Sequence, residues 1–154
     1  MNVQHLVHMG MRMSAASRCV ITFGTYDLFH IGHLRILQRA RALGTRLVVG
    51  VSTDALNLSK KGLRPVFSQE ERMSIVAGLQ DVDEVFPEES LDLKGEYIRR
   101  YRAKVMVMGD DWAGRFDEYR DLCEVVYLPR TEGISTTAIK RGLAQPAPLR
   151  LGGN

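Results

Sequence analysis

Two histidines three residues apart, His30 and His33, follow a short apolar run and the turn Gly24-Thr25-Tyr26-Asp27, with Gly32 between them. At a helix start, positions three apart project from one face, so both imidazoles can address one point. Gly32 adds no side chain, which lets a ligand come close to the backbone. The unpaired amides and positive dipole end of a helix start add an anion site. Donors converging in this way suit a phosphorus centre that gains charge as a group is displaced. A His-x-x-His pair can also hold zinc, but no Cys, Glu or third His stands nearby to complete the ligand set. A plain cap is the ordinary use of one such His; the strand–loop–helix context favours nucleotide phosphate.

Three further segments carry candidate chemistry. Arg130-Thr131-Glu132-Gly133-Ile134-Ser135-Thr136-Thr137 places three hydroxyls in a row at a predicted helix start, with Ser135 as N-cap. Arg130 adds a planar, fixed positive fork; alone, the segment reads as a hydroxyl cap beside a surface Arg. Lys60 and Lys61 lie in the region after the second apolar run, where a mobile ammonium can neutralise two like-charged reactants. A solvated basic loop is the commoner use of such a pair. Asp110-Asp111-Trp112 ends the fourth run. Its acids suit a hydroxylated substrate or magnesium, and Trp112 suits either stacking on a base or plugging the core under its loop.

These residues need a frame. Runs of branched apolar residues at Cys19–Phe23, Arg46–Val51, Glu84–Phe86, Lys104–Met108 and Glu124–Leu128 are too short for helices and read as buried strands. Helical spacing falls between them. Leu34, Leu37, Ala40 and Leu43 share a face, with Gly44 as the stop. Ser68 and Glu71 make a capping box opening a helix through Leu79. Weaker patterns cover Leu93–Tyr101, Asp117–Leu122 and Thr136–Leu143. Alternation of this kind predicts a single α/β, Rossmann-like domain over 18–143, a five-stranded parallel sheet with helices on both faces. Ligands then bind beyond the carboxyl ends of the strands, where strand order reverses, which is where the loops after the runs lie.

The 154 residues suffice for one domain with a core. Residues 1–17 are expected to be a disordered extension without a signal-peptide pattern, and 144–154 a flexible tail. No apolar run approaches the roughly 20 residues of a membrane span. The net charge of +3 is spread among 18 carboxylates. It predicts mild attraction for small anions and no nucleic-acid surface. Cys19 and Cys123 have no partner at metal-ligand spacing and read as buried free thiols in a reducing cytoplasm.

Thr25 through His33 resembles the His-x-Gly-His motif of the nucleotidylyltransferase superfamily, and Arg130 through Thr137 resembles the second hallmark motif of glycerol-3-phosphate cytidylyltransferases. The resemblance covers most of 18–143. It implies transfer of a cytidylyl group from CTP to glycerol 3-phosphate, giving CDP-glycerol for teichoic-acid or capsule synthesis and pyrophosphate. Magnesium is implied as carried with the nucleotide, with no dedicated protein metal site. It assigns catalysis to His30, His33, Lys60 (or its neighbour Lys61) and Arg130. Nucleotide binding falls to Gly24, Thr25, Tyr26, Gly32, Asp111, Trp112, Arg130, Thr131, Ile134, Ser135, Thr136 and Thr137, and acceptor binding to Asp27, Asp54, Lys60 and Arg72. A homodimer is implied as well. Gln80 departs from the pattern, which has a basic residue there, and makes another phosphorylated alcohol the first alternative. The remaining alternatives are ATP-dependent adenylyl transfer and a non-catalytic nucleotide-binding module. The tRNA-synthetase reading of the same motif lacks a late lysine loop and room for an anticodon-binding domain.

Overall fold

Val20 sits in register with Leu47 on one side and Val105 on the other, so the first strand is flanked on both edges by branched apolar residues. The computed structural model describes residues 16–145. Its strands are β1 (Cys19–Gly24), β2 (Arg46–Ser52), β3 (Glu84–Glu88), β4 (Val105–Gly109) and β5 (Glu124–Leu128). They form one parallel sheet in the order β3-β2-β1-β4-β5. The five apolar runs are these strands, most of them extending one or two residues further at the carboxyl end.

Period-two alternation divides the core between the two faces. Ile21, Phe23, Val48, Met106 and Met108 belong to one buried cluster, and Val20, Leu47, Val49, Val105 and Val107 to the other. The helices are α1 (Ile31–Arg41), α2 (Asp54–Lys61), α3 (Gln69–Ala77), α4 (Lys94–Arg100) and α5 (Thr136–Ala144). Leu37 and Ala40 of α1 and Val76 of α3 pack on the second face, Tyr97 and Ile98 of α4 on the first. Right-handed crossovers require this split. The chain moves outward from β1 to β3, then returns past β1 to β4, so its connecting helix must change face. The return leaves a crevice between the carboxyl ends of β1 and β4.

Three local expectations are corrected. The segment after β2 is not an open loop: Thr53 accepts from the Leu56 N–H, Gly62 closes the end at φ 70°, and eight residues between them form α2. Helix α1 ends at Arg41 with Ala42 as a right-handed cap, before Gly44. Gly44 is needed for close packing instead, since a Cβ there would run into the Arg18 carbonyl and the Val20 side chain. The weak pattern at Asp117 forms a 3-10 turn over Asp117–Asp121 rather than an α-helix. The Ser68–Glu71 capping box is present at the start of α3. Cys19 and Cys123 are both buried and free. The extension expected over 1–17 and the tail expected over 144–154 lie outside the described residues except at their inner edges. Among the described residues no helix is long and apolar enough to cross a membrane.

Candidate active site

The crevice between β1 and β4 is a cleft walled by three loops, those after β1, β4 and β5. The first loop is tightly wound. Tyr26 and Leu28 both take positive φ, 55° and 49°, conformations that cost non-glycine residues about 1 kcal/mol or more each. Gly24 makes the winding possible, because a Cβ there would stand 2.8 Å from the Tyr26 ring. Buried Tyr26 in turn lies edge-on to His33, with ring centroids 5.5 Å apart.

His30 is the N-cap of α1, and His33 is three residues on. Their rings stack with centroids 3.8 Å apart. Nδ1 of His30 accepts from the Gly32 N–H at 3.0 Å, and Nδ1 of His33 accepts from the His30 N–H at 3.3 Å. Each ring therefore keeps its proton on Nε2, so the pair offers two N–H donors. Burial holds His33 down to about 4, with His30 adding to the effect, Asp27 opposing it and Arg130 reinforcing it. Burial, then Arg130, lowers His30 as well. Desolvation and the Arg130 charge thus both favour the neutral form of the two stacked rings. Gly32 has no room for a side chain: a Cβ would stand 2.8 Å from the His30 ring and 3.2 Å from Ile134.

Across the cleft, Arg130 follows β5 with an exposed guanidinium 3.9 Å from the Asp111 carboxylate. Gly133 turns the chain at φ 78°. Ser135 caps α5 by accepting from the Ala138 N–H at 3.0 Å. Thr136 Oγ1 donates to the Asp27 carbonyl at 3.0 Å, tying this helix to the first loop. The two motifs, about a hundred residues apart in sequence, thereby share one cleft. It is lined by every residue of the expected nucleotide set: Gly24, Thr25, Tyr26, Gly32, Asp111, Trp112, Arg130, Thr131, Ile134, Ser135, Thr136 and Thr137. His30 and His33 line it as well.

The expected acceptor set divides. Asp27 lines the cleft, but its carboxylate accepts from the Leu28, Val66 and Phe67 N–H groups and pairs with Lys140 at 3.6 Å. Arg72, expected to reach the acceptor, is fully buried. It donates to the carbonyls of Phe67, Thr25 and Ser52 and to Asp54 Oδ1, all within 3.1 Å. Its place is beneath the loops, which it binds together. Asp54 is occupied by Arg72 and the Gln69 N–H and lies outside the cleft lining. Lys60 and Lys61 occupy the exposed last turn of α2, also outside the lining. Gln80 stands on the exposed turn before β3, at the amino end of the sheet and away from the cleft. Asn57 escapes the sequence reading. It is buried, accepts from Thr25 Oγ1 at 2.9 Å and donates to the Ser52 and Thr53 carbonyls. Its signal, an amide between Leu56 and Leu58, emerges only once α2 is recognised.

Among the described residues no group of three or more His, Cys, Asp or Glu is arranged to hold a metal ion. Arg130, the hydroxyls and the imidazole N–H groups instead make a donor set for phosphate oxygens.

Comparison with known proteins identifies the family of the chain. The family model described as cytidylyltransferase-like matches residues 21–142. The glycerol-3-phosphate cytidylyltransferase of Bacillus subtilis strain 168 is 52% identical over 125 residues, spanning 81% of this chain and 96% of that protein. The Staphylococcus aureus protein of the same name is 46% identical over 124 residues, spanning 80% and 93%. Among solved structures, the lipopolysaccharide core biosynthesis protein of Thermoplasma volcanium has a TM-score of 0.64 at 19% identity, covering 76% of this chain and all of that one. That likeness shows a shared fold.

Proposed function

The chain belongs to the cytidylyltransferase-like family, and from that premise we propose that it transfers the cytidylyl group of CTP to glycerol 3-phosphate, giving CDP-glycerol and pyrophosphate. The observation that carries this reading is the single cleft shared by the stacked His30–His33 pair and the Arg130–Thr137 segment. A phosphate oxygen of the acceptor attacks the α-phosphorus of CTP. The bond from that phosphorus to the bridging oxygen of the β-phosphate breaks, and pyrophosphate leaves with the electron pair. The attacking phosphate is already anionic, so no general base is needed. Catalysis is positioning and charge neutralisation.

In this reading His30 and His33 donate from Nε2 to phosphate oxygens as charge develops. Arg130 and the hydroxyls of Ser135 and Thr137 hold the leaving phosphates, Thr136 keeps their helix start tied to the first loop, and Lys60 reaches the acceptor phosphate from α2. Asp111 and Trp112 bound the nucleoside end. Magnesium would be held by phosphate oxygens and water rather than by these donors, and would supply further charge neutralisation when bound. Asp111 is the carboxylate available to its water shell. The product would supply glycerol-phosphate units for teichoic-acid or capsule synthesis in the cytoplasm. Exposed Leu63, Val66 and Ile75, around α2 and α3, give an apolar surface for pairing as a homodimer.

Magnesium-dependent pyrophosphate release tests the reading, with CTP or ATP as nucleotide and glycerol 3-phosphate, phosphocholine, phosphoethanolamine or sugar phosphates as acceptor. Turnover confined to CTP with glycerol 3-phosphate is the expected outcome. Turnover with another acceptor corrects the substrate. Tight CTP binding without turnover overturns the enzyme reading.

A further inference from the structure

The stretch 110–122 between β4 and β5 carries Asp111 and Trp112 into the cleft, yet its only regular structure is two 3-10 turns, Asp110–Trp112 and Asp117–Asp121. Gly114 turns the chain between them at φ 81°. Turns of this kind bond with poor geometry and hold a shape weakly by themselves. Among the described residues, the side-chain hydrogen bonds from this stretch to the sheet all run to β5. The Phe116 N–H donates to Tyr127 Oη at 3.0 Å, and that hydroxyl donates to Asp117 Oδ1 at 2.9 Å. Arg120 donates to the Val125 carbonyl at 3.2 Å and to Asp117 Oδ1 at 3.1 Å. One phenol thus grips two adjacent residues, accepting from one and donating to the other. What it grips leads straight to the cleft. Phe116 is 7% exposed, and its ring centroid lies 5.4 Å from that of Trp112. Trp112, Tyr119 and Tyr127 pack on the buried cluster to which Phe116 belongs, so a shift of the Phe116 backbone passes to the Trp112 ring. Three residues beyond Tyr127 stands Arg130, whose guanidinium faces the Asp111 carboxylate.

We propose that Tyr127 is a positioning residue: its hydroxyl clamps 110–122 onto β5 and so fixes Trp112 and Asp111 opposite Arg130 for the incoming nucleotide. Tyr127 lies outside the cleft lining, so it acts on the nucleotide through these neighbours. Without the hydroxyl, the N–H of a buried residue loses its acceptor, and an unsatisfied buried donor costs more than the bond itself contributed. The stretch relieves that cost by moving toward water, and Trp112 moves with it. The kinetic part of this proposal rests on the cytidylyl-transfer reading; the clamp itself does not.

Trp112 is the only tryptophan, so its fluorescence reports on this wall directly. Three variants are compared with the wild-type protein: Tyr127→Phe, which removes one oxygen; Asp117→Asn, which weakens the same clamp and leaves the ring in place; and Val125→Ala, which thins the core under β5 and removes no hydrogen bond. Each is measured for thermal midpoint, Trp112 emission and acrylamide quenching, and kcat and KM for both substrates. Tyr127→Phe is expected to increase Trp112 quenching and to raise the CTP KM about threefold to tenfold, the cost of ordering a loosened side chain on binding. Its effect on kcat and on the glycerol 3-phosphate KM is expected to be smaller. Asp117→Asn is expected to move quenching and CTP KM in the same direction by less, and it decides the matter if Tyr127→Phe does not fold. Val125→Ala is expected to lower the midpoint with quenching and CTP KM at wild-type values. Wild-type quenching and CTP KM in a folded Tyr127→Phe would overturn the proposal. So would equal changes in Val125→Ala, because lost stability and not the hydroxyl would then move the wall. Lowered kcat with CTP KM unchanged would overturn it too, since the hydroxyl would not be holding the nucleotide wall. Absence of turnover in the wild-type protein would overturn the functional reading, while Trp112 quenching would still decide whether the clamp exists.

Discussion

The two imidazoles define the chemistry at the scale of single residues. Their Nδ1 atoms are committed to backbone N–H groups, so only Nε2 remains to donate. The depressed His33 value has a consequence for stability. In the unfolded chain this ring titrates near its ordinary 6.5, in the folded chain near 4. Between those values the unfolded state binds a proton that the folded state refuses, so stability is lost as pH falls from about 6.5 towards 4. Thermal melting of His33→Asn from pH 7 to pH 5 should show a smaller drop in midpoint than the wild-type protein. Equal drops would assign the pH dependence to other groups. The same substitution removes a donor to the developing charge. It should lower kcat by about two orders of magnitude while weakening CTP binding far less, as paired turnover and calorimetry would show.

At the scale of elements, the β1 loop is held by what lies under it. Arg72 ties that loop to the end of β2 and to the segment before α3 with four hydrogen bonds. Replacing it by Met leaves the Phe67 and Thr25 carbonyls and Asp54 Oδ1 without their donor, and the Ser52 carbonyl with Asn57 alone. The expected cost is about 3 kcal/mol or more, read as a fall in denaturation midpoint. An unchanged midpoint would show that water replaces the guanidinium at no cost. Gly24→Ala acts from above: its methyl would meet the Tyr26 ring, displace it and, through it, His33. Catalysis should fall more than stability, with a midpoint change of about 1–3 kcal/mol. The capping box of α3 was readable because its side-chain chemistry is local. Helix α2 was not, since eight residues mixing Leu56 and Leu58 with polar side chains and ending in Lys60-Lys61 read as a basic loop until Thr53 and Gly62 are seen as its two caps.

For the whole molecule, the consequence of the strand order is that a ligand in the cleft touches loops from three strands. Binding there should stabilise the domain as a unit. CTP with magnesium at about a hundred times its dissociation constant is expected to add about 2.7 kcal/mol, a rise of several degrees in melting temperature. Removing magnesium with a chelator should shrink that rise, because the triphosphate then brings more unneutralised charge into the site. A rise of the same size without magnesium would place the burden of neutralisation on Arg130 and the lysines alone.

What the sequence determined by itself was whatever depends on neighbours along the chain. Five apolar runs became five strands, and the alternation with helices required a parallel sheet. The His30–His33 spacing and the Arg130–Thr137 segment carried their helix starts with them. Only the tertiary structure could decide which distant side chains meet. It brought His33 and Arg130 to one cleft, because a sheet in the order 3-2-1-4-5 sets the ends of β1, β4 and β5 in a row. It drew Arg72 under the loops and out of solvent, because four acceptors converge where its fork lies. It also left Gln80 at the far end of the sheet, and it buried Lys94 against Glu88. Charge and residue type are written in the sequence; whether a charge faces solvent, substrate or another charge follows from packing.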